Sequence, residues 1–308
     1  MYKYILKRLL FLIPVVIGVT FIVFTIMYFT PGDPAQIILG ETAPDEAVEQ
    51  LREEMGANDP FLVQYGNFAK DAVQGDFGRS YDTRKPVFDE VMSRFPATLK
   101  LTVAGMIVAV FIGIPVGIIS ATKQYSITDK VTMILALLGV SMPNFWLGLM
   151  LILLFSVTLG WLPSGGDTGF ASLILPAITL GTGVAAIITR MTRSSMLEVV
   201  RQDYIRTARA KGVSERKVIN KHALKNALIP IVTIVGLQFG SLLGGAVLTE
   251  TVFTWPGIGR LMVESIKRRD TPMVLASVIF LSVTFSLVNL VIDIIYAYLD
   301  PRIKSQYK

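Results

Sequence analysis

Cysteine is absent from this 308-residue chain, and histidine occurs once, as His222. Without thiols there is no disulfide, no thiolate metal site and no thiol nucleophile, while nothing follows about compartment. One histidine and no cysteine cannot assemble the usual nitrogen and sulfur ligands of a transition-metal cage, so no metal site is expected. Serine hydrolysis needs a base beside its nucleophile, and His222 lies in a basic stretch away from the apolar runs. A Gly-x-x-x-x-Gly-Lys-Ser/Thr loop to cradle nucleotide phosphates is also missing, so any ATP hydrolysis belongs to another chain. Charge is scarce as well: 17% of residues are charged against 52% hydrophobic, too greasy a balance for an ordinary soluble domain. These absences describe an integral membrane protein with no catalytic residue of its own. In a soluble chain the formal charge of +6 would suggest nucleic acid. Here it is distributed by topology and concerns orientation.

What is present is a series of apolar runs. Residues 9–29 supply about the 20 residues that a spanning helix needs. The alternative, a secretory signal, has a shorter apolar core and a small-residue cleavage site, which residues 28–34 lack. Residues 1–30 are therefore expected to be a tail and an uncleaved first span. Further spans are predicted at residues 97–120, 131–159, 173–189, 231–249 and 272–298, an all-α polytopic fold with six transmembrane helices. Gly113-Ile-Pro-Val-Gly117 combines a proline kink with small residues four apart that let a neighbouring helix approach. Pro143, in Ser141-Met-Pro-Asn144, removes a backbone hydrogen bond at membrane depth, so Pro143 and Asn144 either face a water-lined path or sit at a kink satisfied by packing. Gly236, Gly240 and Gly244, beside Gln238 and Ser241, form a face nearly bare of bulk, suited to tight packing or to lining a path. Glu250 at the end of that span is a solvated end, a cap or a substrate-contacting acid. Asp293, costly in lipid, is expected to face the bundle or snorkel to water.

Between the first two spans, residues 31–95 carry thirteen acids and six bases, the one long soluble-looking segment, expected outside. Pro44 and Gly56 bracket one amphipathic helix with Val48, Leu51 and Met55 on a face. Asp59-Pro60 and Gly75 bracket another with Phe61, Tyr65, Phe68 and Ala72. Residues 31–96 thus read as a small helical extracytoplasmic insertion, and residues 97–298 as a five-helix core.

The opposite charge balance marks residues 190–230, with ten Lys/Arg and three acids, which places them in the cytoplasm. Inside this stretch Asp203 to Lys211 reads as a short helix stopped by Gly212, and Ser214 with Glu215 as the cap of the next, which runs toward Pro230. Clustered bases also suit anionic lipid headgroups, though a lipid anchor needs neither the Gly212 stop nor a second cap. The run Asp203-Tyr204-Ile205-Arg206-Thr207-Ala208-Arg209-Ala210-Lys211-Gly212, followed by His222-Ala223-Leu224-Lys225-Asn226-Ala227 and Pro230, resembles the cytoplasmic loop of binding-protein-dependent ABC importer permeases. Within them it is most similar to the peptide and nickel branch. Arg206-Thr207-Ala208 stand where the general motif has Glu-Ala-Ala, and the Gly-to-Pro spacing is longer than in sugar permeases, departures that narrow the resemblance to that branch. Pro31-Gly-Asp-Pro34, residues 75–80, 94–99, 250–261 and 300–304 resemble it too.

The resemblance implies a type I importer permease fold. It implies that Asp203, Tyr204, Ile205, Arg206, Thr207, Ala208, Lys211 and Gly212 dock on a partner ATPase. It implies a second permease subunit, two ATP-binding subunits that carry ATP and Mg, an extracytoplasmic solute-binding protein, and a peptide, glutathione or nickel-chelate cargo. Localisation in a prokaryotic inner membrane, with both termini and the tail from residue 299 cytoplasmic, is expected. Cytoplasmic segments hold eighteen Lys/Arg and outer segments ten, in the direction of that orientation. The competing class, a self-contained secondary transporter or channel, commonly shows internal repeats and mid-membrane acids, and neither is evident.

Overall fold

The computed structural model describes residues 2–40 and 42–299. The Asp293 side chain and the 300–304 segment, both singled out above, lie outside the described residues. By their internal contacts the described residues divide into two units, Leu99–Trp255 with the chain from Leu287 onward, and Tyr2–Thr98 with Pro256–Ser286.

The second of these contains α1 (Tyr2–Phe29), α2 (Pro34–Leu39), α3 (Asp45–Glu54), α4 (Phe61–Val73), the start of α5 (Val87–Thr122), α12 (Ile258–Lys267) and most of α13 (Thr271–Leu299). Asp33 begins α2 by accepting from the Ala35 N–H at 3.0 Å, and its other oxygen takes Arg52 of α3 at 2.7 Å. The aromatic face of α4 packs on α1: Phe61 meets Phe21, Phe24 and Tyr28, and Phe68 stacks on Phe24. Tyr65 adds a polar tie, its hydroxyl donating to the Ile17 carbonyl at 3.0 Å. Amphipathic spacing in residues 61–72 thus buries rings against the first apolar run. Elsewhere Val87, Val91, Ile258, Met273 and Ala276 form a core, and Ser80 donates to the buried Asp270 at 2.5 Å.

The other unit holds the rest of α5, α6 (Ile127–Ser141), α7 (Asn144–Leu151) running into a π-helical turn (Ile152–Thr158), α8 (Phe170–Val200), α9 (Asp203–Ala210), α10 (Glu215–Lys217), a second π-helical turn (Val218–Ala223) and α11 (Leu224–Val252). Glycine sets how closely α5 lies on α8. A Cβ at Gly113 would stand 2.8 Å from Ile188, and one at Gly117 2.5 Å from Thr192, so these positions take no side chain. Around Pro115 α5 continues as helix. The loop before α8 docks on the end of α11: Gly166 N–H donates to the Phe253 carbonyl at 2.8 Å, and Lys100 pairs with Asp167 at 2.7 Å while covering the Trp255 ring.

Among the described residues, five helices are long and apolar enough to cross a membrane, six when α6 and α7, bent by 103° at the break, count as one span. The bend falls at Met142–Pro143, where the sequence interrupts its third apolar run. Several spans are longer than expected, α5 beginning at Val87 rather than residue 97. The fourth run continues as helix through Arg190 and Arg193 to Val200, and α11 begins at Leu224 and passes Pro230 unbroken. Residues 190–200 and 224–230 are therefore extensions of two membrane helices rather than free loop. The reason is that Met196, Ala223 and Ala227 bury apolar side chains in a shared core, so charged turns on the opposite face do not end the helix.

Candidate functional site

Helix α9 lies at the far end of those two extensions. Eight residues make it about 12 Å long. Isolated helices of this length are not stable in water, so packing must hold it. Ile205 supplies that anchor: it is fully buried in a core with Ala121 of α5, Met196 of α8, Val218, Ala223 and Ile231, which contributes about 1.5–3 kcal/mol. Its carboxyl end closes as a Schellman turn. Val213 N–H donates to the Ala208 carbonyl at 3.2 Å and Gly212 N–H to the Arg209 carbonyl at 2.9 Å, with Gly212 at φ 74°. Ala208 and Val213, the two positions such a turn brings together, both pack on the same core. Ser214 occupies the cap position of α10 but makes no capping hydrogen bond through its side chain, unlike the reading above. Instead Glu215 reaches back to Arg209, which grips it at 2.7 and 3.0 Å across the Gly212 turn. That bond raises the Arg209 guanidinium above its usual pKa.

The remaining face is polar and open. Asp203, Arg206, Thr207 and Lys211 are exposed, and Tyr204 keeps 44% of its surface accessible. Tyr204 is nonetheless oriented, its hydroxyl accepting from Asn226 of α11 at 2.9 Å, with Asn226 held in turn by the His222 carbonyl at 3.0 Å. The Asp203–Arg206 pair at 3.6 Å is exposed at both ends and adds little. The result is a rigidly seated helix with an exposed polar face. It can bind a partner and pass movement to the helices that seat it.

The five positions singled out for a path differ in exposure. Pro143 caps α7, and Asn144 follows it, 3.8 Å from where a Cβ on Gly183 of α8 would stand. Along α11, Ser241 and Gly244 are exposed and Gln238 is half-buried, whereas Glu250 is fully buried and is not a solvated end. The glycine row divides likewise: Gly236 lies against Ile292 of α13, at 2.5 Å from a notional Cβ, Gly240 is buried, and Gly244 meets open space.

With this geometry in view, comparison with known proteins decides the family. A family model described as binding-protein-dependent transport system inner membrane component matches residues 113–305, and its N-terminal companion matches residues 1–102. The chain belongs to this family. It is a multi-pass permease component of the inner membrane, working with binding-protein and ATPase components and not itself catalytic. Relatives similar to this permease include the dipeptide transport system permease protein DppB of Alkalihalophilus pseudofirmus, 49% identical over 99% of this chain and 100% of that one. Another is the glutathione transport system permease protein GsiC of Escherichia coli, 47% identical over 99% of both. Among solved structures, the inward-facing MetNI methionine ABC transporter aligns with a TM-score of 0.59 at 21% identity, over 68% of this chain and 96% of that one, a likeness of fold.

One group in the permease escaped the sequence reading. Asp129, at the start of α6 and 3% exposed, accepts four hydrogen bonds: Ser120 of α5 at 2.5 Å, the Tyr125 N–H at 2.9 Å, and Arg193 of α8 through Nε and Nη2, both at 2.7 Å. Tyr125 presents its N–H from a left-handed turn, φ 66°. The local signal was Ser126, whose hydroxyl caps α6 by accepting the Asp129 N–H at 3.2 Å. Nothing local singled out Arg193 among ten bases.

Proposed function

We infer that this permease imports short peptides, delivered from outside by a solute-binding protein, through a pathway formed with a second, similar permease subunit. Two ATP-binding subunits, which hold ATP and Mg, dock on α9 from the cytoplasm. Both termini lie on that side. The observation that carries this is the seating of α9: Ile205 fixes it to α5, α8 and α11 while its polar face stays open for a partner. A membrane-lipid role for the surrounding bases is compatible but leaves the Schellman turn and the Asn226–Tyr204 contact without a purpose. Peptide cargo is supported by the dipeptide relative. Glutathione is the second reading, favoured by a relative of nearly equal identity.

The deciding experiment is gentle extraction of the tagged chain from its native membrane, followed by mass spectrometry of its companions and of any ligand retained by the binding protein. A second permease, ATP-binding subunits and a binding protein loaded with dipeptides or oligopeptides are expected. Retained glutathione would move the cargo to the second reading. Recovery of the chain alone, or only with copies of itself, would defeat the ATP-driven reading and make ion-coupled uptake the next test.

A further inference from the structure

We propose that the Asp129–Arg193 pair is a strut that makes α6 move with α9, so that displacement of the docking helix is carried to the bend at Met142–Pro143. The proposal rests on α9 being the docking element. Its geometry is independent of that reading. Arg193 lies one turn before Met196, the α8 residue that shares a core with Ile205, and only two residues separate the end of α8 from α9. Ser120 likewise precedes Ala121, which belongs to that same core. Movement of Ile205 therefore reaches the α5 and α8 residues beside Asp129 through close-packed contacts, which transmit displacement rather than absorb it.

From there a packed apolar contact would let α6 slide, but the bidentate grip of Arg193 on a buried carboxylate does not. Further along, α6 rests on small residues of α8, a Cβ on Gly139 standing 3.4 Å from Ala186, a surface that guides and does not hold. The held end is thus the cytoplasmic one, and the other end is the 103° bend.

The test uses the assembled transporter in liposomes. The chain has no cysteine of its own, so Ile134→Cys on α6 and Ala210→Cys at the end of α9 are its only thiols and, with partner subunits cleared of cysteine, form a unique pair for spin labels. Ala210→Cys also reports docking, by cross-linking to the ATP-binding subunit. With the natural pair, the α6–α9 distance is expected to stay constant to within about 2 Å, an ordinary helix shift, between nucleotide-free and vanadate-trapped states. In Asp129→Asn with Arg193→Gln, which removes both buried charges together, the distance is expected to change between the same states. Uptake per ATP hydrolysed should then fall at least ~10-fold while hydrolysis persists. A distance that changes equally with the natural pair overturns the strut without needing the variant to assemble. So does a variant that imports with unaltered stoichiometry. Absence of the Ala210 cross-link would instead count against docking at α9, leaving uptake per ATP in the variant to decide the strut.

Discussion

Gly165 and Gly244 show how much one absent methyl group can mean in this permease. A Cβ at Gly165 would overlap the carbonyl oxygen of Phe253, a backbone atom fixed by the hydrogen bond from Gly166. At Gly244 of α11 it would meet nothing within 4 Å. Gly165→Ala must displace the loop before α8 from the end of α11, at a cost of about 1–3 kcal/mol. Gly244→Ala is expected to be neutral or to stabilise by up to about 1 kcal/mol, the helix preference of alanine over glycine. The thermal inactivation midpoint of each variant in detergent should fall for the first and hold or rise for the second. If Gly244→Ala is stable yet blocks uptake, the open face of α11 bearing Ser241 is one that a partner or the cargo must reach. Ile205→Ala is the third residue-scale case. Truncating a fully buried isoleucine costs about 2–5 kcal/mol, which here should loosen α9 from its core. Reduced recovery of ATP-binding subunits with the chain would report it.

At the scale of elements, α9 was legible because its limits are written in single residues: Asp203 opens it and Gly212 closes it. Gly212 has φ 74° with open space around it, so side-chain volume is tolerated there and backbone conformation is not. Gly212→Asn is accordingly expected to preserve transport, since asparagine visits this region, whereas Gly212→Val adds roughly 1–2 kcal/mol of backbone strain and opens the turn. In reconstituted complexes the valine variant should hydrolyse ATP with reduced uptake, and full uptake by that variant would count against docking at α9. The extensions of α8 and α11 were not legible, because charged turns and Pro230 look like helix ends until Met196, Ala223 and Ala227 are seen sharing a core. The break before Asn144 was legible from Pro143, but not its 103° size, which local sequence does not encode. Least legible of all was Asp129 with Arg193, joined across 64 positions by two hydrogen bonds. Pairings at that separation leave no trace in periodicity or in local charge pattern.

At the scale of the whole molecule, charge gives a definite expectation for the side on which each polar segment lies. Residues 31–95 hold thirteen acids and six bases, residues 190–230 ten bases and three acids, and lysine and arginine are retained inside. The second segment also bears α9, so import driven from the cytoplasm requires the same orientation that the charges favour. Glu53, exposed in α3, and Asn220, exposed in the turn before α11, are suitable reporters in a chain without cysteine. In right-side-out vesicles a membrane-impermeant maleimide should label Glu53→Cys at once and Asn220→Cys only after the membrane is opened. The reverse pattern would put α9 outside, away from any cytoplasmic ATPase, and would remove the basis for energy transfer through it. Labelling of both from outside would place an odd number of crossings between positions 53 and 220 in error, so that α6 and α7 would have to be a re-entrant pair instead of one bent span.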